Sequence, residues 1–162
     1  MEKINEVLHQ MMYYFGSDVR RINHALKVYG FATAIAAKEN LNNVKYEIVA
    51  FSAILHDIGI HVAEKKYNSN IGKYQELEGP AIAKDILKKC NVNDDIIDRV
   101  CFIISKHHTY SAIDDVDFQI LVEADFLVNF YEDEMSKEAV KSVNERYFKT
   151  SYGHELLSQL YL

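Results

Sequence analysis

The sequence predicts an all-α fold, a single compact bundle of about six to seven helices. Three observations support this prediction. One proline and six glycines among 162 residues are too few helix breakers for a sandwich of short strands. Hydrophobic residues make up 49% and charged residues 26%, which is typical of a globular chain with a real core. Apolar residues also recur at three- and four-residue spacing, the period of a helix.

The first part of the chain predicts three helices. The first covers residues 2–15 and is ended by Gly16, and Ser17 or Asp18 caps the second. The third covers residues 45–57, which are almost continuously apolar. The apolar residues of the second helix precede Asn40: Ile22, Ala25, Leu26, Val28, Tyr29, Ala32 and Ile35.

The middle of the chain predicts a long connection and two helices. Residues 59–79 are mostly polar, and we expect either a binding segment or a plain solvated loop there. Gly79-Pro80 begins the fourth helix, because proline suits a first helical turn. Residues 91–93 separate it from the fifth, which ends near His107-His108.

The remainder predicts a helix through residues 118–128, a further helix capped by Ser136, and a short amphipathic tail that closes at Leu162. We find no repeat, linker or low-complexity stretch. We therefore expect one domain over residues 1–162.

The charge and the cysteines limit the partners and the compartment. The net charge is −6, whereas a binder of polymeric nucleic acid usually has a basic excess, so we expect no such partner. A small anionic substrate is still possible, because a bound metal can reverse the local potential. Cys90 and Cys101 lack metal-ligand spacing, and we interpret them as buried thiols in a reducing cytoplasm. The polar N-terminus predicts no signal peptide, and no apolar run predicts a membrane span. We expect a monomer or a homodimer.

A His-Asp pair at the end of the third helix is the first sign of chemistry. His56 shares a helical face with Val49 and Ala53, so it points toward the core. Adjacent helical residues point about 100° apart, so His56 and Asp57 can reach one ion only if the helix ends and turns there. Gly59 permits that turn.

Two more polar side chains point inward from other helices. His24 is in line with Val28 and Ala32, and Asp125 shares a face with Leu121 and Val128. A buried carboxylate without a partner costs several kcal/mol, and no lysine or arginine shares these inward faces. A divalent transition metal (Mn, Fe, Co, Ni or Zn) is the simplest partner for His24, His56, Asp57 and Asp125. The alternative is that each is a satisfied core histidine or an ion-pair carboxylate.

The order His24, Leu55-His56-Asp57-Ile58-Gly59 and Asp125 resembles the HD-domain metal-dependent phosphohydrolase superfamily. The resemblance covers about residues 18–130, which would be the metal-binding core, with C-terminal helices in residues 131–162. It implies a helical fold that holds the metal between helices. The ligands would be the four residues named above, and Arg21 also matches a common family feature.

The sequence departs from the two-metal members of that superfamily. These carry a histidine just before the Gly-Ala or Gly-Pro of the next helix, whereas residues 74–80 contain none. Glu76 or Glu78 could serve as an oxygen ligand instead, so one ion is expected and a second stays open. His107-His108 could bind phosphate, donate a proton or bind a second ion, or the pair could simply favour a helix C-terminus.

The resemblance implies hydrolysis of a phosphomonoester or phosphodiester, with nucleotides as the favoured substrates. Asp57, His107 and His108 would be catalytic, and Arg21, Lys73, Glu76 and Tyr110 would bind substrate. Tyr67, Tyr74 and Tyr110 could line a pocket that stacks a base. Two alternatives stay open: a di-iron oxygenase, and a non-catalytic nucleotide-binding sensor module.

Overall fold

The fold is all-α, as the sequence predicts. The computed structural model describes residues 2–162, which contain nine α-helices, one short 3-10 helix and no strand. The helices are α1 (Glu2–Phe15), α2 (Val19–Lys38), α3 (Asn43–Leu55), α4 (Ile60–Tyr67), α5 (Gly72–Lys89), α6 (Asp94–Ile104), α7 (Val116–Glu132), α8 (Lys137–Tyr147) and α9 (Ser151–Tyr161), with the 3-10 turn Tyr110–Ala112 before α7.

The helix α3 is the centre of the bundle. Every residue of α3 from Ile48 to Leu55 is buried, including Ser52. The helices α1, α2, α6 and α7 all pack against it, and α2 also packs along α7. A helix that is apolar on all sides must be enclosed by others, so α3 places its C-terminal end deep in the molecule.

Side-chain caps begin several helices where the sequence predicts them. Asp18 accepts a hydrogen bond from the Arg21 amide at the start of α2. Ser136 accepts one from the Ala139 amide at the start of α8. Of the two candidates for the second helix, Asp18 is therefore the cap.

The predicted connection at residues 59–79 is wrong. The segment holds α4 and the first two turns of α5, so the chain has more helices than the sequence predicted. The sequence pattern did not indicate α4, because this helix buries only Ile60 and Ala63, too few apolar positions to show a helical period. Asn68 ends α4 in the left-handed conformation that asparagine tolerates.

The predicted start of a helix at Gly79-Pro80 is also wrong, because Pro80 lies inside α5. An interior proline removes one backbone hydrogen bond and costs about 3 kcal/mol. The helix continues because it packs against both α4 and α6. The helix α6 likewise ends at Ile104, a turn earlier than predicted, so His107 and His108 lie in the following turn.

Two glycines bring α5 close to the end of α3. A β-carbon on Gly59 would lie 2.5 Å from the backbone nitrogen of Gly79, and one on Gly79 would lie 2.8 Å from the Ile104 side chain. No other residue type fits at Gly59 without moving the backbone. This close approach positions the middle of α5 against the turn that follows His56 and Asp57.

The C-terminal helices are fixed to α7 by a buried carboxylate. Glu123 accepts hydrogen bonds from the backbone amides of Lys149 and Thr150 and from the Thr150 hydroxyl. Gln119 donates another through its amide nitrogen. The Glu123 carboxylate therefore makes its hydrogen bonds within the fold and has a structural role.

The stretch Asn43–Tyr67 is apolar and long enough to pass a composition test for a membrane-crossing helix. Most of its apolar part is buried inside the bundle, and the chain turns between α3 and α4. The core helix of a globular protein passes the same test, so the finding is weak evidence for a membrane span.

Candidate metal centre and its pocket

Four side chains from three helical regions converge on one point. His24 comes from α2, Asp125 from α7, and His56 and Asp57 from the turn that ends α3. The His24 Nε2 atom lies 3.2 Å from His56 Nε2, 3.2 Å from Asp125 Oδ1 and 3.6 Å from Asp57 Oδ2. The His56 Nε2 atom lies 3.5 Å from Asp57 Oδ2 and 3.6 Å from Asp125 Oδ1.

The hydrogen-bond partners of the imidazoles define which ring nitrogens face this point. The Nδ1 atom of His24 lies 2.8 Å from the Glu132 carboxylate, and that of His56 lies 2.9 Å from the Ala53 carbonyl oxygen. Each Nδ1–H therefore donates outward, which leaves an Nε2 lone pair directed inward in the neutral ring. Two lone pairs 3.2 Å apart repel each other unless a cation or a proton lies between them.

The spacing of the donor atoms fits a metal ion. Ligand atoms at about 2.1 Å from an ion are about 3.0–3.4 Å apart in octahedral or tetrahedral arrangement. The distances between 3.2 and 3.6 Å are close to these values. Asp125 Oδ1 is also a buried atom that lacks a hydrogen-bond partner within residues 2–162. Two imidazoles and two carboxylates suit the transition metals that the sequence predicts.

A second donor group shares Asp57 with the first. The Asp57 Oδ1 atom lies 3.5 Å from His107 Nε2, whereas its Oδ2 atom faces His24 and His56. His107 donates from Nδ1 to the Ile104 carbonyl oxygen at 2.7 Å, so its Nε2 also carries an inward lone pair. Asp57, His107 and His108 form a second cluster with metal-ligand spacing, and both histidine Nε2 atoms are buried without a partner in the part of the chain described here.

The close spacing of imidazoles and carboxylates shifts the pKa values of both kinds of group. Burial disfavours protonation of His24, but the adjacent Asp125 carboxylate, 3.2 Å from Nε2, and the charge of Asp57 outweigh burial and raise its pKa to about 9. Burial also opposes ionisation of Asp57, yet the surrounding imidazoles of His56, His107 and His24 hold the pKa of this carboxyl well below its usual range. The carboxylates are therefore ionised at neutral pH and available to a cation.

The pKa values of the two neighbouring histidines of the later turn are shifted in opposite directions. Burial and the nearby His107 lower the pKa of His108 to about 4, so this ring is neutral. Burial opposes protonation of His107, but the nearby Asp57 carboxylate, whose Oδ1 lies 3.5 Å from Nε2, outweighs it and raises the pKa of His107. His108 lines the pocket with its neutral ring, which makes it a donor of a lone pair rather than a cation for phosphate.

Glu132 is a functional residue that the sequence interpretation missed. It fixes the His24 ring through Nδ1, and Lys27 forms an ion pair with the same carboxylate. A carboxylate behind a ligating histidine orients the ring and increases its basicity. Glu132 follows Asp125 by seven residues, two helical turns on the same face of α7, and this spacing was the available signal.

A cavity of about 300 Å³ opens onto the donor atoms. His24, Asp57, Asp125 and His108 line its floor. Arg20 and Arg21 lie at the rim, where Arg21 pairs with Glu64 at 2.7 Å and with Asp18 at 3.7 Å. Within residues 2–162 Arg20 forms no ion pair, so its charge is the one available to an anion.

The remaining predicted substrate-binding residues lie outside the pocket lining. Lys73 is exposed on α5, away from the cavity. Glu76 accepts hydrogen bonds from the His108 amide and the Thr109 hydroxyl, both at 3.0 Å, so it supports the turn that carries the histidines. Tyr110 packs against Phe126 and lines a separate cavity, and burial raises its pKa to about 12.

The tyrosines proposed for base stacking are not in the pocket either. Tyr67 and Tyr74 stack on each other with centroids 4.1 Å apart, and Tyr67 donates a hydrogen bond to Glu78. Glu78 also pairs with Lys66. The second proposed oxygen ligand, Glu78, is therefore held on the outer surface of α4 and α5.

Comparison with known proteins identifies the family of the chain and supports its fold. The family model described as HD domain matches residues 21–149. The chain belongs to the HD-domain family. Its fold is similar to a crystal structure described as a predicted HD superfamily hydrolase from an uncultured Thermotogales bacterium, with a TM-score of 0.70 and 22% identity over 97% of this chain and 84% of that one. No curated protein matches the sequence.

The HD domain matches the helices that carry every donor discussed above, from His24 on α2 to Asp125 on α7. HD domains bind divalent metals, and they form a superfamily of metal-dependent phosphohydrolases. The first donor group of this chain fits one such ion by chemistry and spacing.

Proposed function

We propose that this HD domain hydrolyses a small phosphate ester, using a divalent metal held by His24, His56, Asp57 and Asp125. The observation that carries the proposal is the convergence of these donors in a pocket, with the His24 and His56 lone pairs only 3.2 Å apart. When bound, such an ion lowers the pKa of a coordinated water and offsets the charge of a phosphoryl group.

The chain's own residues have separable tasks in this reaction. Asp57 stays ionised, because the surrounding imidazoles hold its pKa well below the usual range, so it can accept a hydrogen bond from water and orient it. Arg20 lines the pocket without an ion-pair partner among residues 2–162 and can hold a phosphate oxygen. Arg21 shares its charge with Asp18 and Glu64, so it supports the rim and contributes less to anion binding.

The site could hold one metal ion or two. Asp57, His107 and His108 could hold a second ion, since Asp57 belongs to both donor groups, and this arrangement is also the one feature that favours the di-iron oxygenase alternative. Elemental analysis separates the cases. Two irons per chain with substrate-dependent oxygen consumption would favour oxygenation, and phosphate release with other divalent metals would favour hydrolysis.

The direct test is an assay of purified, metal-loaded protein against a panel of phosphate esters. We expect phosphate release that Asp57→Asn lowers at least about 100-fold, because one carboxylate orients water and joins both donor groups. Asp85→Asn, an exposed carboxylate on α5, is the matched control. Unchanged activity in Asp57→Asn would refute the role, and tight ligand binding without turnover in any metal would favour the non-catalytic alternative.

A further inference from the structure

The walls of the pocket are polar above the metal donors. Asn70 follows the end of α4, and Asn129 and Asp133 follow Asp125 along α7 by one and two turns. Glu132 lies beside them but is already bonded to His24 and Lys27. Apart from Arg20, the groups left for a ligand above the metal donors are therefore amides and a carboxylate.

Two charged side chains of the pocket lining, one positive and one negative, are available to a ligand. Arg20, at the start of α2, has no ion-pair partner among residues 2–162, and neither has Asp133, at the end of α7. Both are exposed at the rim, so a ligand would meet one free cation and one free anion. Arg20 favours one phosphate group, while Asp133 and Glu132 disfavour a second phosphate on the same ligand.

The pocket lining contains no tyrosine or phenylalanine, and Ile60 is its single apolar side chain. Stacking on an aromatic side chain contributes about 1–3 kcal/mol per base in nucleic-acid recognition. Tyr67 and Tyr74 use their faces on each other, and Tyr110 packs against Phe126. The cavity of about 300 Å³ is also at the lower end of the range for drug-sized ligands.

We propose that the pocket selects a small phosphomonoester whose carbon part carries several hydroxyl groups, a sugar or polyol phosphate, over a nucleotide. The proposal rests on the proposed function, because the phosphate end is placed at the metal donors. Hydroxyl groups donate hydrogen bonds to the Asn129 amide oxygen and to the Asp133 carboxylate. The lining offers a nucleobase no tyrosine or phenylalanine face. Its other planar groups are already assigned: His24 and His108 to metal donor groups, Arg20 to the phosphate and Arg21 to its ion pairs.

The first test uses two ligands that differ only by a base. Ribose 5-phosphate and adenosine 5′-monophosphate share the same phosphorylated ribose, and both are assayed with the metal-loaded protein. We expect kcat/KM for ribose 5-phosphate to equal or exceed that for adenosine 5′-monophosphate. A tenfold or larger preference for the nucleotide would overturn the proposal.

The second test examines the residues assigned to the hydroxyl groups. p-Nitrophenyl phosphate carries no hydroxyl, so it is the reference for general effects on the site. We expect Asn129→Leu and Asp133→Ala each to lower the ratio of kcat/KM for ribose 5-phosphate to that for p-nitrophenyl phosphate by about fivefold or more. Asn23→Leu, an exposed asparagine outside the pocket, is the control for Asn129→Leu. An unchanged ratio in both pocket variants would contradict the assignment.

Failure of the proposed function is distinguishable from failure of this proposal. If the protein binds metal but hydrolyses no phosphate ester, the hydrolase proposal fails, and calorimetry with the same two ligands then decides the selectivity. Ribose 5-phosphate that binds as tightly as adenosine 5′-monophosphate, or more tightly, would support it. Tenfold tighter binding of the nucleotide, or no binding of ribose 5-phosphate, would overturn it.

Discussion

At the scale of single residues, the His24 ring is held between two carboxylates. Glu132 accepts from its Nδ1 at 2.8 Å, and Asp125 lies 3.2 Å from its Nε2. The outer carboxylate fixes the ring orientation and the inner one shares the proposed ion. The sequence predicted the inner partner, because Asp125 lies on an apolar face of its helix. The seven-residue spacing from Asp125 to Glu132 on the same helix was the signal for the outer partner, and the sequence interpretation did not use it.

We predict that Glu132→Gln weakens metal binding about 10–100-fold, because the ring of His24 loses its charged hydrogen-bond partner. Calorimetric titration of the metal-free protein with Mn²⁺ measures the effect. Glu64→Gln is the matched control, since Glu64 pairs with Arg21 at the rim and contacts no metal donor. Equal affinities in Glu132→Gln and wild type would show that the outer carboxylate does not support the ligand.

A second prediction concerns the pH dependence of metal binding. The pKa of His24 is raised from 6.5 to about 9 in the metal-free fold, so the protonated ring stabilises the fold below pH 6.5 and loses that contribution as the pH rises toward 9. An ion must displace this proton. We expect the Mn²⁺ affinity to rise about tenfold per pH unit from pH 6.5 to 8.5.

Calorimetry in buffers of different ionisation enthalpy should accordingly report about one proton released per ion bound at pH 7.5. A metal affinity that is flat across this pH range would contradict the raised pKa of His24.

At the scale of helices, the first turn of α5 is shaped around His108. A β-carbon on Gly72 would lie 2.6 Å from ring atoms of His108, so only glycine leaves room for the ring in its present place. Glu76, one turn later, holds the backbone of the same histidine. The two turns of α5 that the sequence interpretation missed are therefore the ones that position His108 in the second donor group.

We predict that Gly72→Ala displaces the His108 ring and lowers the stoichiometry or affinity at the second donor group, while the first group still binds. Metal titration followed by elemental analysis measures this. Gly30→Ala is the control: it lies in α2 with no atom within 4 Å of its added β-carbon, and it should stabilise the fold by about 0.4–1 kcal/mol. Identical metal content in both variants would remove the steric role assigned to Gly72.

At the scale of the whole molecule, the proposed ion joins α2, the end of α3 and α7. These three helices pack on one another around the core, and each contributes a donor atom. Without a cation, the inward carboxylates and lone pairs face one another at 3.2–3.6 Å. An ion at their centre would therefore stabilise the folded chain more than the unfolded one.

We predict that Mn²⁺ at 100 times its dissociation constant stabilises the fold by about 2.7 kcal/mol. For a chain of this length, that corresponds to a rise of about 5–10 °C in Tm. Thermal unfolding with Mn²⁺ and with a chelator measures the difference. The rise should disappear in Asp125→Asn, and a persistent rise in that variant would place the ion elsewhere.

The sequence by itself determined the helical class, the cap at Ser136, and the inward direction of His24, His56 and Asp125, because helical periodicity and capping are local properties. It left the cap of the second helix open between Ser17 and Asp18. The HD-domain resemblance was likewise visible in the order of these residues. The cytoplasmic location, the oligomeric state and the one-domain interpretation stay predictions.

Only the tertiary structure decided which residues meet. His107 faces Asp57 from 50 positions away, and this contact depends on the turn after α6 and on the glycines that let α5 approach α3. Lys73, Tyr67, Tyr74 and Tyr110 lie outside the pocket. The sequence could not show this, because the direction of a side chain on a polar helix is set by packing partners that are distant in the sequence. The composition of the pocket is thus a property of the fold, which local patterns do not encode.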